Sequence, residues 1–214
     1  MNYTNNLTLD KAVSILDIDS IFCDDLRPII KRFNLLVKPI IYSKIYNSLL
    51  LNIDSFIIDE KKFNCGTRVI NILSGATSLA VTLITLGKGI SALIDSYYAT
   101  NDYLKAYWCD QLANWVICDA IKQIKQTLQE EQKRNGLKIT THCAPGYYEW
   151  DLYDQEKILD LFSDNKPEVI LTESMFIKPT KSMISVIGIG KHVSYEESRC
   201  INCTIGKCAS CKFK

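Results

Sequence analysis

Residues 79–86, Leu-Ala-Val-Thr-Leu-Ile-Thr-Leu, are the most constraining stretch of this 214-residue chain. A strand with one wet face alternates apolar and polar side chains. This one is apolar at nearly every position, so it reads as a strand covered on both faces. It is not a membrane span, because the apolar stretch from Leu79 to Ile94 is interrupted by Gly87, Lys88 and Gly89 and is too short to cross a bilayer. A strand buried on both sides needs a layer above and a layer below. With 47% apolar and 23% charged residues, the chain has the material for both.

The flanking sequence predicts helices and strands in no regular alternation. Thr8 caps a short helix that carries Leu9, Val13, Ile15 and Leu16 and ends near Asp17. A second helix is expected to open at Pro28 and to carry Ile29, Ile30, Phe33 and Leu36 until Pro39 stops it. Residues 40–51 read as one strand. Gly87-Lys88-Gly89 leads into a helix with Ile90, Leu93 and Ile94. Its free N–H groups either hold an anion or only turn the chain, and phosphate-loop spacing is lacking. The longest element covers residues 102–133, where Leu104, Trp108, Leu112, Trp115, Ile117, Ile121, Ile124 and Leu128 keep three-four spacing. Asn101 is placed to cap its start, and Asn135-Gly136 to stop it. Beyond it come a strand at 138–141, a turn at Pro145-Gly146, a helix at 154–162 and strands at 169–171, 175–177 and 183–189. The expected class is α+β: a mixed, mainly antiparallel twisted sheet flanked by helices, as one domain over residues 1–195 with a cysteine-rich tail over 196–214.

With 25 basic and 24 acidic residues the net charge is +1, which gives no electrostatic case for a nucleic acid or an anionic membrane. Residues 1–6 are polar and lack the apolar core of a secretory signal. Nine cysteines without such a signal point to reduced thiols or metal ligands, and the expected address is the cytoplasm. There is no Gly-x-Ser-x-Gly, and the only histidines are His142 and His192, so no catalytic residue is assigned.

Three stretches together resemble one family. The first is Ala144-Pro145-Gly146-Tyr147, followed by Asp154-Gln155-Glu156-Lys157, Leu159 and Leu161-Phe162. The second, about 25 residues on, is Leu171-Thr172-Glu173-Ser174 with Pro179 and Ser182. The third is Thr85-Leu86-Gly87 opening a helix, and the long helix after it. Their order and spacing resemble the activation, or reactivation, domain of cobalamin-dependent methionine synthase, in particular its free-standing relatives. What the resemblance implies is a module that binds S-adenosylmethionine and presents it to a corrin ring. It would be a component of a methyltransferase activity and not a catalyst alone. The cobalamin would come on a partner, a methionine synthase subunit or another corrinoid protein, since no Asp-x-His-x-x-Gly is present.

Carried over by motif, the resemblance implies that Ala144 and Pro145 lay backbone along the ligand, that Gly146 allows close approach, and that Tyr147 faces the corrin. The family has an arginine three residues before the proline to grip the ligand's carboxylate. Here His142 stands there, and a neutral imidazole cannot make the two-toothed contact. His142 could equally be an exposed strand residue or, with Cys143, a metal ligand. Asp119 is the implied partner of the ligand's ribose or amine, or else a solvated helix residue. Glu173 lies in the second segment and either lines the ligand or anchors strand ends.

Cys200, Cys203, Cys208 and Cys211 form C-x2-C-x4-C-x2-C. Paired thiolates at that spacing suit zinc or an iron–sulfur cluster, although the middle spacer is short for a zinc ribbon, and the alternative is a thiol-bearing tail without metal. A redox cluster there would make the chain an electron donor to the corrinoid partner.

Overall fold

The apolar run is an inner strand of the main sheet, as its composition requires. The structure, a computed structural model, describes residues 6–162 and 167–194. In it four antiparallel strands lie in the order β1 (Ile40–Tyr46), β5 (Ser78–Thr85), β9 (Ser182–Gly190) and β6 (Lys138–Cys143). From Leu79 to Thr85, every residue of β5 is buried.

Each side chain of β5 and β9 goes to one of two cores. Ala80, Ile84, Ile187 and Ile189 meet a helical layer made of α1 (Leu9–Leu16), α2 (Cys23–Leu36), α4 (Lys88–Ala99) and α5 (Tyr103–Lys133). Leu79, Val81, Leu83, Ile184 and Val186 face the other way. There they meet a hairpin sheet of β2 (Leu50–Leu51), β3 (Ser55–Ile58) and β4 (Lys61–Asn64), together with α3 (Gly66–Leu73) and α6 (Asp154–Asp160). Phe56 stacks on Phe63 at 4.8 Å and meets Trp150 edge-on at 5.5 Å, which makes this second core the more aromatic one. In the middle of the sheet Thr82 and Ser185 are directly paired, both fully buried, with their hydroxyls 2.6 Å apart. A two-stranded ribbon, β7 (Ile170–Leu171) with β8 (Ile177–Lys178), precedes β9. Among the described residues no helix is long and apolar enough to cross a membrane. The sequence-predicted α+β class and antiparallel sheet agree with this architecture.

Several boundaries differ from expectation. The second helix begins at Cys23, not Pro28, and holds the proline inside it. Pro28 deprives Asp24 of one backbone donor, a loss tolerable near a helix start where carbonyls can tilt to water, while Leu26, Ile29, Ile30 and Phe33 anchor the buried face. The cap of α5 is Asp102, whose carboxylate accepts from the Lys105 N–H. Asn101 is left-handed (φ 56°), a conformation that closes α4 and does not suit an N-cap. The expected strand over 40–51 is two strands, separated at residues 47–49.

One close approach fixes how β9 ends. A Cβ on Gly190 would stand 2.2 Å from the Gly75 carbonyl oxygen, which is backbone and cannot swing aside. Gly190→Ala is therefore expected to cost about 2 kcal/mol and to lower the midpoint of thermal unfolding. An unchanged midpoint would mean that the loop at Gly75 yields freely.

Candidate ligand site

β6 is an edge strand whose pairing with β9 stops at Cys143 opposite Val186. The register shifts between Ile139 and His142, and the Thr140 hydroxyl accepts the Gly188 N–H at 2.9 Å within this bulge. Bulges re-aim the side chains that follow. His142 lies opposite Ile187, a member of the helix-side core, and so takes that face, partly exposed; Cys143 turns to the second core.

The chain then folds sharply over residues 144–150. Ala144 accepts from the Tyr147 N–H at 3.1 Å, Tyr147 from the Trp150 N–H at 3.1 Å, and Trp150 from the Gly146 N–H at 2.8 Å. Gly146 has φ 86°, a conformation that side-chain-bearing residues avoid. Ala144, Pro145 and Trp150 are buried, whereas Gly146 and Tyr148 are exposed and Tyr147 is half-buried. Arg68, on α3, lies over the Tyr148 ring at 4.3 Å.

The segment leading into β9 arrives at the same end of the sheet. β9 starts at Ser182 opposite Thr85, so Ser182 to Ser185 run past the last pair with β6, alongside the bend. The turn before it is fastened on all sides. The Ser182 hydroxyl donates to the Pro179 carbonyl at 2.7 Å and lies 2.8 Å from the Thr85 hydroxyl, and Thr180 meets Ser91 at 3.0 Å. Lys181, nearly buried, reaches Asp110 at 2.6 Å and Asn114 at 2.8 Å, both on α5. The Lys178–Pro179 peptide is cis.

Asp119 is on α5, half-buried, accepting from Gln123 at 2.8 Å. It lies about 21 Å along the helix from Lys133, and β6 carries the chain about 16 Å back to Cys143. Glu173 is placed differently. It is exposed in the β7–β8 turn, and the hydrogen bonds that close that turn belong to Thr172: its hydroxyl takes the Phe176 N–H at 3.0 Å and its carbonyl the Met175 N–H at 2.9 Å. Anchoring of strand ends, one reading of Glu173, falls to Thr172. Of the sequence-predicted residues, His142, Ala144, Pro145, Gly146 and Tyr147 thus lie in one stretch at the end of β6, Asp119 lies on α5, and Glu173 is exposed at a hairpin tip.

The crystal structure of the MetH reactivation domain bound to AdoHcy matches this chain with a TM-score of 0.57, over 85% of this chain and 70% of that one, at 17% sequence identity. The fold is that of the MetH reactivation domain. At this identity the likeness fixes the architecture and leaves side-chain roles to be argued from the residues themselves. No protein-family model matches the sequence, and no curated protein does.

Within this MetH-like fold, sequence reasoning missed two sets of residues, one in the turn before β9 and one at the bend. One is the Lys181 clasp, whose only sequence signal is a lysine inside the Pro-x-x-Ser turn. The other is Trp150 with Asp154, an i, i+4 pair whose indole N–H donates to the carboxylate at 2.9 Å. The four tail cysteines lie outside the described residues; among the described residues no group of three or more His, Cys, Asp or Glu side chains could hold a metal.

Proposed function

We propose that this chain is an S-adenosylmethionine-binding activation module that serves a corrinoid protein. The observation that carries this reading is the fold, shared over 85% of the chain with a MetH reactivation domain that holds AdoHcy. AdoHcy is what S-adenosylmethionine becomes once its methyl group has left. The Ala-Pro-Gly-Tyr bend supports the same reading, because Gly146, at φ 86°, turns an exposed stretch of backbone outward at the end of β6.

The residues present suit such a ligand. Its sulfonium and amine are cationic, and Asp119 is the acceptor for the amine or the ribose. Its carboxylate is met by His142, which supplies one donor where a guanidinium would supply two. Residues 144–146 line the adenosyl group and Tyr147 faces the corrin; Glu173, exposed in the β7–β8 turn, is left out of this site. A corrinoid held by the partner would, in its reduced state, supply the acceptor for the methyl group. The chain's own residues bind, orient and exclude water, and the gain is proximity.

Calorimetry tests this. Wild-type protein is expected to take up S-adenosylmethionine and AdoHcy competitively, and His142→Arg to tighten both by about tenfold through a two-toothed, charge-assisted contact. Heat from neither protein with either ligand, together with no reactivation of a cobalamin-loaded methionine synthase, would sink the proposal.

A further inference from the structure

Trp150 is one peg that joins the bend to the second core, and its contacts can be followed inward. Three backbone hydrogen bonds set the bend, and two of them use the backbone of Trp150: its carbonyl takes the Gly146 N–H and its own N–H goes to Tyr147. Whatever places Trp150 places the bend. Its indole is 2% exposed and meets Phe56 edge-on, with ring planes 86° apart. The one polar atom of that ring would be costly to bury without an acceptor. Asp154, itself 5% exposed, provides the acceptor. Its second carboxylate oxygen takes the Lys157 ammonium at 2.7 Å, and the same ammonium reaches the Lys62 carbonyl on β4 at 3.3 Å. A buried carboxylate is tolerable when both oxygens are satisfied, as here. The relay ties the bend to the hairpin sheet and not to the helical layer that carries Asp119.

We propose that Trp150 and Asp154 are positioning residues for the ligand-binding bend, holding residues 144–147 at the height at which they meet the ligand. This rests on the reading of the bend as the ligand site, and one part of its test is independent of that reading. Amide exchange is measured on wild type, Asp154→Leu, Asp154→Asn and Trp150→Phe. Asp154→Leu keeps the branched skeleton and removes the acceptor; Asp154→Asn keeps the size and an oxygen for the indole. Trp150→Phe keeps an apolar ring and removes the donor.

With Asp154→Leu and Trp150→Phe, the Gly146 and Trp150 amides are expected to lose protection by about tenfold while amides in the middle of α5 keep theirs, and Asp154→Asn to stay near wild type. S-adenosylmethionine affinity is expected to follow the same order, falling about tenfold in the first two variants and not in the third. Equal loss of protection across the whole molecule would show a merely structural role and overturn the proposal, as would unchanged exchange at Gly146. Should Asp154→Leu fail to fold, Trp150→Phe decides alone. Wild type that binds no ligand but shows the local exchange pattern defeats the proposed function and leaves the peg standing; wild type that binds ligand with the same affinity as all three variants defeats the peg and leaves the function.

Discussion

Trp108→Ala is expected to cost about 3–5 kcal/mol, the scale for removing a fully enclosed indole from a core that cannot collapse around the gap. Trp108 is 2% exposed on α5 and meets Phe22 edge-on at 5.7 Å. Phe22 lies in a 3-10 turn, Ser20–Phe22, that delivers the chain into α2. The indole therefore joins the longest helix to the segment that brings in the outer pair α1 and α2, and the cavity would open between them. Urea unfolding measures the loss directly, and Trp108→Phe should recover most of it. A loss below about 1 kcal/mol for the alanine variant would show that the helical layer repacks, contrary to its tight enclosure here.

Alkali should unfold this protein in a way that two thiols dictate. Burial pushes Cys65 from an ordinary 9.0 to about 12, with Cys143 and the carboxylates of Asp154 and Asp54 adding to the rise. Burial likewise pushes Cys109 from 9.0 to about 12, against a smaller opposing pull from Arg32. A thiol that holds its proton more tightly in the fold than in the open chain stabilises the fold fully below the unfolded value. That contribution is lost as pH climbs from about 9 towards about 12. Each thiol contributes about 1.4 kcal/mol per pH unit in that window, so the two together give about 2.7. Guanidinium midpoints at pH 8, 9.5 and 10.5 should fall accordingly, and the double variant Cys65→Ala, Cys109→Ala should flatten the slope. The same steep fall in the double variant would assign the alkaline loss to other groups.

The parts of this fold that could be read in the sequence are those whose signal is local. The β5 run announced a strand buried on both sides because each of its residues is apolar or a small hydroxyl. The three-four stripe of α5 announced a helix within a residue of its ends. The hairpin of β3 and β4, with α3 behind it, passed unread. Its turn, Asp59-Glu60, takes positive φ at both residues (49° and 62°) without the glycine or asparagine that normally marks such a turn. Packing of Phe56 and Phe63 into the aromatic core holds the strained pair in place. Pro28 misled for the opposite reason: it is a strong local signal for a helix start, overridden here by an apolar face that begins two residues earlier at Leu26.

The candidate site divides along the same line. Residues 144–147 were legible because proline and glycine can do few other things when adjacent. Asp110, Asn114 and Lys181 were not, because the contact that joins them spans 67 residues and more of chain and leaves no spacing pattern. Trp150 and Asp154 sit four apart, yet only the direction of the indole N–H shows that one serves the other.

The paired hydroxyls of Thr82 and Ser185 bear on how the sheet avoids misalignment. An all-apolar strand has almost no preference for where it lies along its neighbour, since sliding by two residues sets one aliphatic chain against another. Two hydroxyls sealed from water oppose that freedom, because sliding by two residues sets each against an aliphatic neighbour, at about 1–3 kcal/mol apiece. The most hydrophobic part of the molecule thus takes part of its alignment from a polar pair at its centre, and the Thr85–Ser182 contact at one end of β9 holds the same register.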